Sequence, residues 1–145
     1  MEFSAPMDFP EADGTVMELD AVDPDYQRVN DDHQALARQV DVIQRLAEAP
    51  SPGPAEFVDA LNRLAELSSA HFAHEEAYMA SRGYDGLAVH KKDHEYLLRS
   101  LGELIASCEE RAVAISIDIP THLRSWLTFH IERYDMPFHE FAGHH

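Results

Sequence analysis

The chain has 145 residues, enough for one domain with a real hydrophobic core and too few to divide comfortably into two. Eleven Lys and Arg oppose 27 Asp and Glu, and the formal net charge of −16 repels phosphate backbones and anionic lipid, so no nucleic acid and no membrane surface is expected as a partner. The one cysteine, Cys108, excludes an internal disulfide or a thiolate cluster and reads as a small buried hydrophobe, whereas the ten histidines suggest metal, provided they converge.

Residues 1–22 begin MEFSAPMDFPEADG, which has neither the basic nor the apolar region of an export signal, and they hold two prolines and a glycine without a sustained period. An N-terminal arm is expected there, packing on the domain without joining its core. A single bundle domain is expected over residues 23–145. No later segment has the apolar run that a membrane span needs, and a reducing, cytoplasmic compartment is expected.

Helical punctuation then appears four times. Asp23-Pro24 reads as an N-cap with proline at the first helical position. The run Ala49-Pro-Ser-Pro-Gly-Pro54 is a break, Arg82-Gly83-Tyr84-Asp85 stops one helix and caps the next, and Ile119-Pro120 opens a fourth. Helices are expected over residues 23–48, 55–82, 86–110 and 119–136. The β-branched run between Ala112 and Ile119 would have no partner strand and reads as a connecting loop. Short connections make successive helices antiparallel, so the expected fold class is all-α: an antiparallel up-down-up-down four-helix bundle with an N-terminal arm. His144 and His145, at the end of the chain, are uninformative.

Each helix has an apolar seam at alternating steps of three and four residues. The seams run Tyr26, Val29, His33, Leu36, Val40, Ile43; then Phe57, Leu61, Leu64, Ser68, His71, Glu75, Tyr78; then Leu87, His90, His94, Leu97, Leu101, Leu104, Cys108; and Ile119, Leu123, Trp126, His130, Tyr134. Polar residues intrude at core positions. In HFAHEEAYM, His71 and Glu75 lie about 40° apart on an ideal helix and face the same way. Glu76, about 140° from His71, should be solvated, and His74, about 60° to the other side, is a flanking residue rather than a ligand.

Antiparallel packing brings the intruders to one level. His33 lies about 15 Å from the end where the first helix starts, and His71, Glu75, His90, His94, His130 and Asp135 fall in the same half of the bundle. Burying five histidines and two carboxylates without a compensating charge would cost several kcal/mol per ion. A metal centre removes that cost. Imidazole and carboxylate donors without thiolate suit iron, and seven ligands exceed what one ion needs, so two ions bridged by Glu75 and Asp135 are expected. One spacing is awkward, because His130 and Asp135 are five apart, about 140° around an ideal helix. Either a π-type turn lies between them, or the helix ends early at Pro137.

Four motifs in order, NDDH (His33), HFAHEEAYM, HKKDH and WLTFHIERYD, resemble the hemerythrin family, specifically its bacterial single-domain members, over most of the chain from about residue 22 to residue 136. The resemblance implies a non-haem pair of iron ions with a bridging oxo or hydroxo group. In that pattern His90, His94 and His130 hold one iron, His33 and His71 hold the other, and Glu75 and Asp135 bridge. The two-histidine iron keeps an open position for dioxygen, and small anions or nitric oxide are further possible ligands. Phe72, Trp126, Leu127 and Ile131 match the family's apolar oxygen pocket, which must stay dry. This chain departs from the common pattern around its first-helix histidine, where Asn30 and Asp32 stand in place of Asp and Gln and alter the hydrogen bonds behind the ligands.

Reversible dioxygen binding for storage, delivery or sensing, without turnover, is the expected function. A di-iron peroxidase or oxidase using the same metal pair is the alternative, and a sensor module of a signalling system is a third. No glutamate is followed by histidine at the third position, which removes the ferritin-like oxidases, and His-Glu-x-x-His is absent, which removes the zincins.

Overall fold

The computed structural model describes residues 24–143; the expected arm over residues 1–22, the capping residue Asp23, and His144 and His145 lie outside the described residues. Four long segments are helical: α1 (Pro24–Glu48), α2 (Pro54–Ser81), α3 (Leu87–Glu109) and α4 (Asp118–His130). The last continues through a π turn, Ile131–Asp135, into a short helix α5 (Met136–Gly143). Together they form an antiparallel four-helix bundle, with no strand among the described residues.

The punctuation residues act locally as their chemistry requires. Pro54 occupies the first turn of α2, where its missing N–H would have had no partner. At the other end of α2, Gly83 adopts φ 66°, its N–H reaches Ala80 O at 3.1 Å, and Tyr84 N–H reaches Met79 O at 3.1 Å. That pair of bonds is a Schellman closure. α3 ends the same way, with Arg111 N–H on Cys108 O at 3.1 Å and Ala112 N–H on Ser107 O at 2.9 Å. Here Arg111, not a glycine, holds the left-handed conformation at φ 58°.

The awkward spacing resolves as a π turn. Met136 N–H bonds to Ile131 O, five residues back. One extra residue per turn lets His130 and Asp135 share a face. Contrary to the expected end at residue 136, the helix does not stop at Pro137 but runs on to Gly143. Pro137 is the next donor position after Met136, where the ladder returns from five-residue to four-residue spacing, so its missing N–H falls at a switch that leaves little to lose.

The core has two parts separated by a polar layer. The larger part is aliphatic, with Leu36, Val40, Ile43, Phe57, Leu61, Leu64, Leu101, Ile105 and Leu123 at its heart. A smaller one, Val29, Tyr78, Met79 and Phe138, seals the other end, and Phe138 reaches it only because α5 exists. Most of the expected seam is buried. In α3, however, Ile105 takes the core position expected of Leu104, and Leu87 and Leu104 are half-buried, as are Trp126 of α4 and Tyr134 of the π turn. Fully burying a Leu, Ile or Phe side chain contributes roughly 1.5–3 kcal/mol, so the two apolar clusters anchor a layer that is costly to bury alone.

Candidate metal centre

Between the two clusters lie His33, His71, Glu75, His90, His94, His130 and Asp135, each no more than 2% exposed. α1 supplies the first, α2 the next two, α3 the next two, and α4 with the π turn the last two. Their donor atoms fall into two groups, Glu75 with His90, His94 and His130, and His33 with His71, Glu75 and Asp135. Within each group the atoms lie within 4.8 Å of one another, and Glu75 belongs to both. Asp135 spans the same divide: its Oδ2 is 2.9 Å from His33 Nε2, while its Oδ1 is 3.0 Å from His90 Nε2 and 3.1 Å from His130 Nε2. Glu75 Oε1 stands 3.1 Å from His94 Nε2 and 3.3 Å from His90 Nε2.

The electrostatics follow from burying two carboxylates among imidazoles. Burial and the Asp135 charge push Glu75 up, but His71 and the hydrogen bonds from His130 and His90 bring it below its ordinary value. Burial likewise opposes ionisation of Asp135, and His130, His33 and His90 overcome it, holding the carboxyl well below the usual range. For His130 burial favours the neutral ring, yet Asp135, Asp93 and Glu75 raise it well above 6.5. Two acceptors carry the diagnostic feature. His71 Nε2 and Glu75 Oε2 are buried without a hydrogen-bond partner, and an orphaned polar atom of that kind costs roughly 1–3 kcal/mol. A cation between the groups would engage both. The donor set, imidazole and carboxylate without thiolate, suits iron, with zinc and manganese as competitors.

The far nitrogens of the rings are held by an outer ring of carboxylates. His94 Nδ1 donates to Glu76 Oε2 at 2.7 Å, His130 Nδ1 to Asp93 Oδ2 at 2.8 Å and His71 Nδ1 to Asp32 Oδ2 at 3.3 Å. Glu76 is therefore not the solvated residue expected from its angle to His71, because a neighbouring helix brings His94 to it. His74 stands outside both donor groups, half-buried, with its Nδ1 2.9 Å from Asp32 Oδ2. A further histidine, His139, half-buried with both ring nitrogens shielded from solvent, lies one turn beyond Asp135, edge-on to Tyr26 at 5.0 Å. Burial lowers its basicity, and the charges acting on it belong to Asp135, His33, Glu75 and His71. Asp93 sits within HKKDH, one turn after His90 and next to His94, but its partner His130 is on another helix, which spacing alone does not show; His139 lay beyond the expected helix end.

A small apolar void of about 10 Å³ adjoins the layer, lined by Leu36, Val40, Phe72, Leu97, Trp126, Leu127 and His130 among others. That is about the space one water-sized molecule needs. Phe72 stacks on His94 with ring centroids 3.9 Å apart. Ile131, expected in this pocket, is buried in the aliphatic cluster instead of lining the void. A groove of about 460 Å³ between α3 and α4 shares Leu97 and Trp126 with the void as a common wall.

Fold and site define a helical-bundle protein built around a buried histidine and carboxylate layer with two adjoining donor groups. Residues 25–142 match the family model for the hemerythrin HHE cation binding domain, so the chain belongs to the hemerythrin family. It is 26% identical to myohemerythrin-1 of Phascolopsis gouldii over 113 residues, 78% of this chain and 82% of that one. It is 26% identical to bacteriohemerythrin of Methylococcus capsulatus over 107 residues, 73% of this chain and 79% of the relative. Myohemerythrin of Riftia pachyptila is 28% identical over 113 residues, 78% and 82% of the two chains. No solved structure matches. Among the described residues no helix is long and apolar enough to cross a membrane.

Proposed function

We propose that this chain is a cytoplasmic non-haem di-iron protein that binds dioxygen reversibly, for storage, delivery or sensing, without turnover. The reading rests above all on Glu75, which belongs to both donor groups, and on Asp135, whose two oxygens face opposite halves, since carboxylates facing both halves are what a pair of adjacent cations would require. His90, His94 and His130 would hold one ion, His33 and His71 the other, with Glu75 and Asp135 between them. The iron pair, when bound, supplies the electrons and the open position that dioxygen needs.

The chain's own residues do the rest. Asp32, Glu76 and Asp93 keep the proton on the far nitrogen of His71, His94 and His130, so that the lone pair of each Nε2 would face an ion. Phe72, Trp126 and Leu127 keep the adjoining void apolar and exclude water and anions that would displace a bound gas. The two-histidine group has one imidazole fewer than the other, which supports an exchangeable position there. Loading the chain with ferrous iron under anaerobic conditions and then admitting air tests the reading by visible absorption. A band that appears with air and disappears under argon is expected. Irreversible oxidation with consumption of added peroxide would favour the enzyme reading instead.

A further inference from the structure

His74 belongs to the motif that first marks this site, yet it is no member of either donor group. Its surroundings give it a different task. On α1, Arg28 and Asp32 stand one turn apart; on α2, His71 and His74 are three residues apart, and the four side chains meet across the helix pair. Arg28 Nη1 lies 3.4 Å from His74 Nε2. A guanidinium has only donors, so Nε2 of His74 accepts and its proton sits on Nδ1. That N–H donates to Asp32 Oδ2 at 2.9 Å. The same oxygen accepts from His71 Nδ1 at 3.3 Å. His71 is thereby left with a lone pair on Nε2, the buried nitrogen without a hydrogen-bond partner.

The chain of bonds is directional throughout. It starts at an exposed arginine and ends by specifying which nitrogen of a buried imidazole turns its lone pair toward the cluster. His94 and His130 need no such relay, because Glu76 and Asp93 each serve one ring at 2.7 and 2.8 Å. Asp32 is shared, and its bond to His71 is the longest of the three. What keeps Asp32 in place is then more consequential than for the other two carboxylates.

We propose that Arg28 and His74 are positioning residues that hold Asp32 on His71, and so control the orientation and tautomer of one ligand of the two-histidine ion alone. This rests on the metal-site reading above. It predicts an effect confined to one of two ions, carried entirely through Asp32.

Calorimetric titration of the metal-free full chain with ferrous iron under anaerobic conditions tests it, comparing wild type with His74→Phe, His74→Gln, Asp32→Asn and the double variant His74→Phe/Asp32→Asn. Asp32→Asn should weaken one binding step about 10–100-fold, the range for loss of a carboxylate behind a ligand histidine. His74→Phe should weaken the same step by less, and His74→Gln, whose amide N–H still donates, should recover most of it. The double variant should match Asp32→Asn alone, because residues acting through one another are not additive. An effect of His74→Phe that persists in the Asp32→Asn background, that touches both steps equally, or that is nil, overturns the proposal while leaving the metal site standing. Fewer than two ions bound by wild type would overturn both.

Discussion

His130 Nε2 lies 3.1 Å from Asp135 Oδ1 although the two residues are five positions apart in one helix. An α-helix would turn them about 140° from each other; the π turn over Ile131–Asp135 turns them to the same side. Exchanging Tyr134 and Asp135 tests that register. In an uninterrupted α-helix the exchange would leave the carboxylate facing inward at four residues from His130. In the π register it should rotate the carboxylate out, and the Tyr134→Asp/Asp135→Tyr variant should keep its helical circular dichroism but lose at least one of two bound ions. Retention of both ions would show that the turn does not set the site.

Metal-free protein should show a pH dependence of stability opposite in sign to that of its metal affinity. Against the destabilising effect of burial, carboxylate neighbours raise His71, His90 and His130 above the ordinary 6.5. Their stabilisation is complete below 6.5 and is lost as pH rises through the folded values. Glu75 and Asp135 are lowered, so their contribution is present above 4.5 and 3.8 and lost only as pH falls through the folded values. His139, lowered by burial, works the other way and destabilises the fold as pH drops below 6.5. Above 6.5 His139 is neutral both folded and unfolded, so the three raised groups set the trend there. The Tm of the metal-free chain should fall as pH rises from neutrality into the alkaline range, while affinity for iron rises, because imidazole must be neutral to bind. A metal-free Tm that climbs across that window would contradict the charge assignment.

Arg111 is the one described non-glycine residue with positive φ, at 58°. An L side chain there costs about 1–2 kcal/mol relative to glycine, which is offset in part by glycine's larger entropy when unfolded. Arg111→Gly should therefore stabilise the protein by about 0.5–1 kcal/mol, measured by urea unfolding of the metal-free form. The matching Gly83→Ala, at φ 66°, should destabilise by a similar amount. Equal stability of all three proteins would mean the two Schellman closures are unstrained.

Trp126 forms part of the wall between the groove and the void, and its Nε1 is buried without a hydrogen-bond partner. Trp126→Phe removes both the unsatisfied N–H and part of that wall. Stability should stay within about 1 kcal/mol of wild type, since losing an orphaned donor offsets losing buried area. The oxygenated absorption band, in contrast, should decay several-fold faster and respond more steeply to added azide. Unchanged decay would mean that water and anions reach the layer by another route.

The helix pattern and the inward-facing polar residues were legible because α-helical geometry converts spacing into direction. His71 with Glu75, and His90 with His94, are one turn apart and share a face whatever surrounds them. Even the irregular turn was readable, as a five-residue gap between two residues that both had to face inward. The continuation through Pro137 was not, since proline's usual effect is to stop a helix and only the shift in the hydrogen-bond ladder makes it tolerable. Phe138 and His139 were missed with it. Ile105 replaces Leu104 because a seam counted in threes and fours drifts against the true period over a long helix. Glu76 shows the other limit: an angle computed on α2 cannot know that His94 of α3 comes within 2.7 Å.

The most direct test is the number of ions that one chain binds. Anaerobic titration of metal-free wild type with ferrous iron, followed by exhaustive dialysis and elemental analysis, should give two iron atoms per chain, falling to one or none for Glu75→Ala and staying at two for His74→Ala. A single iron in wild type, or two retained by Glu75→Ala, would contradict a pair of cations joined through shared carboxylates.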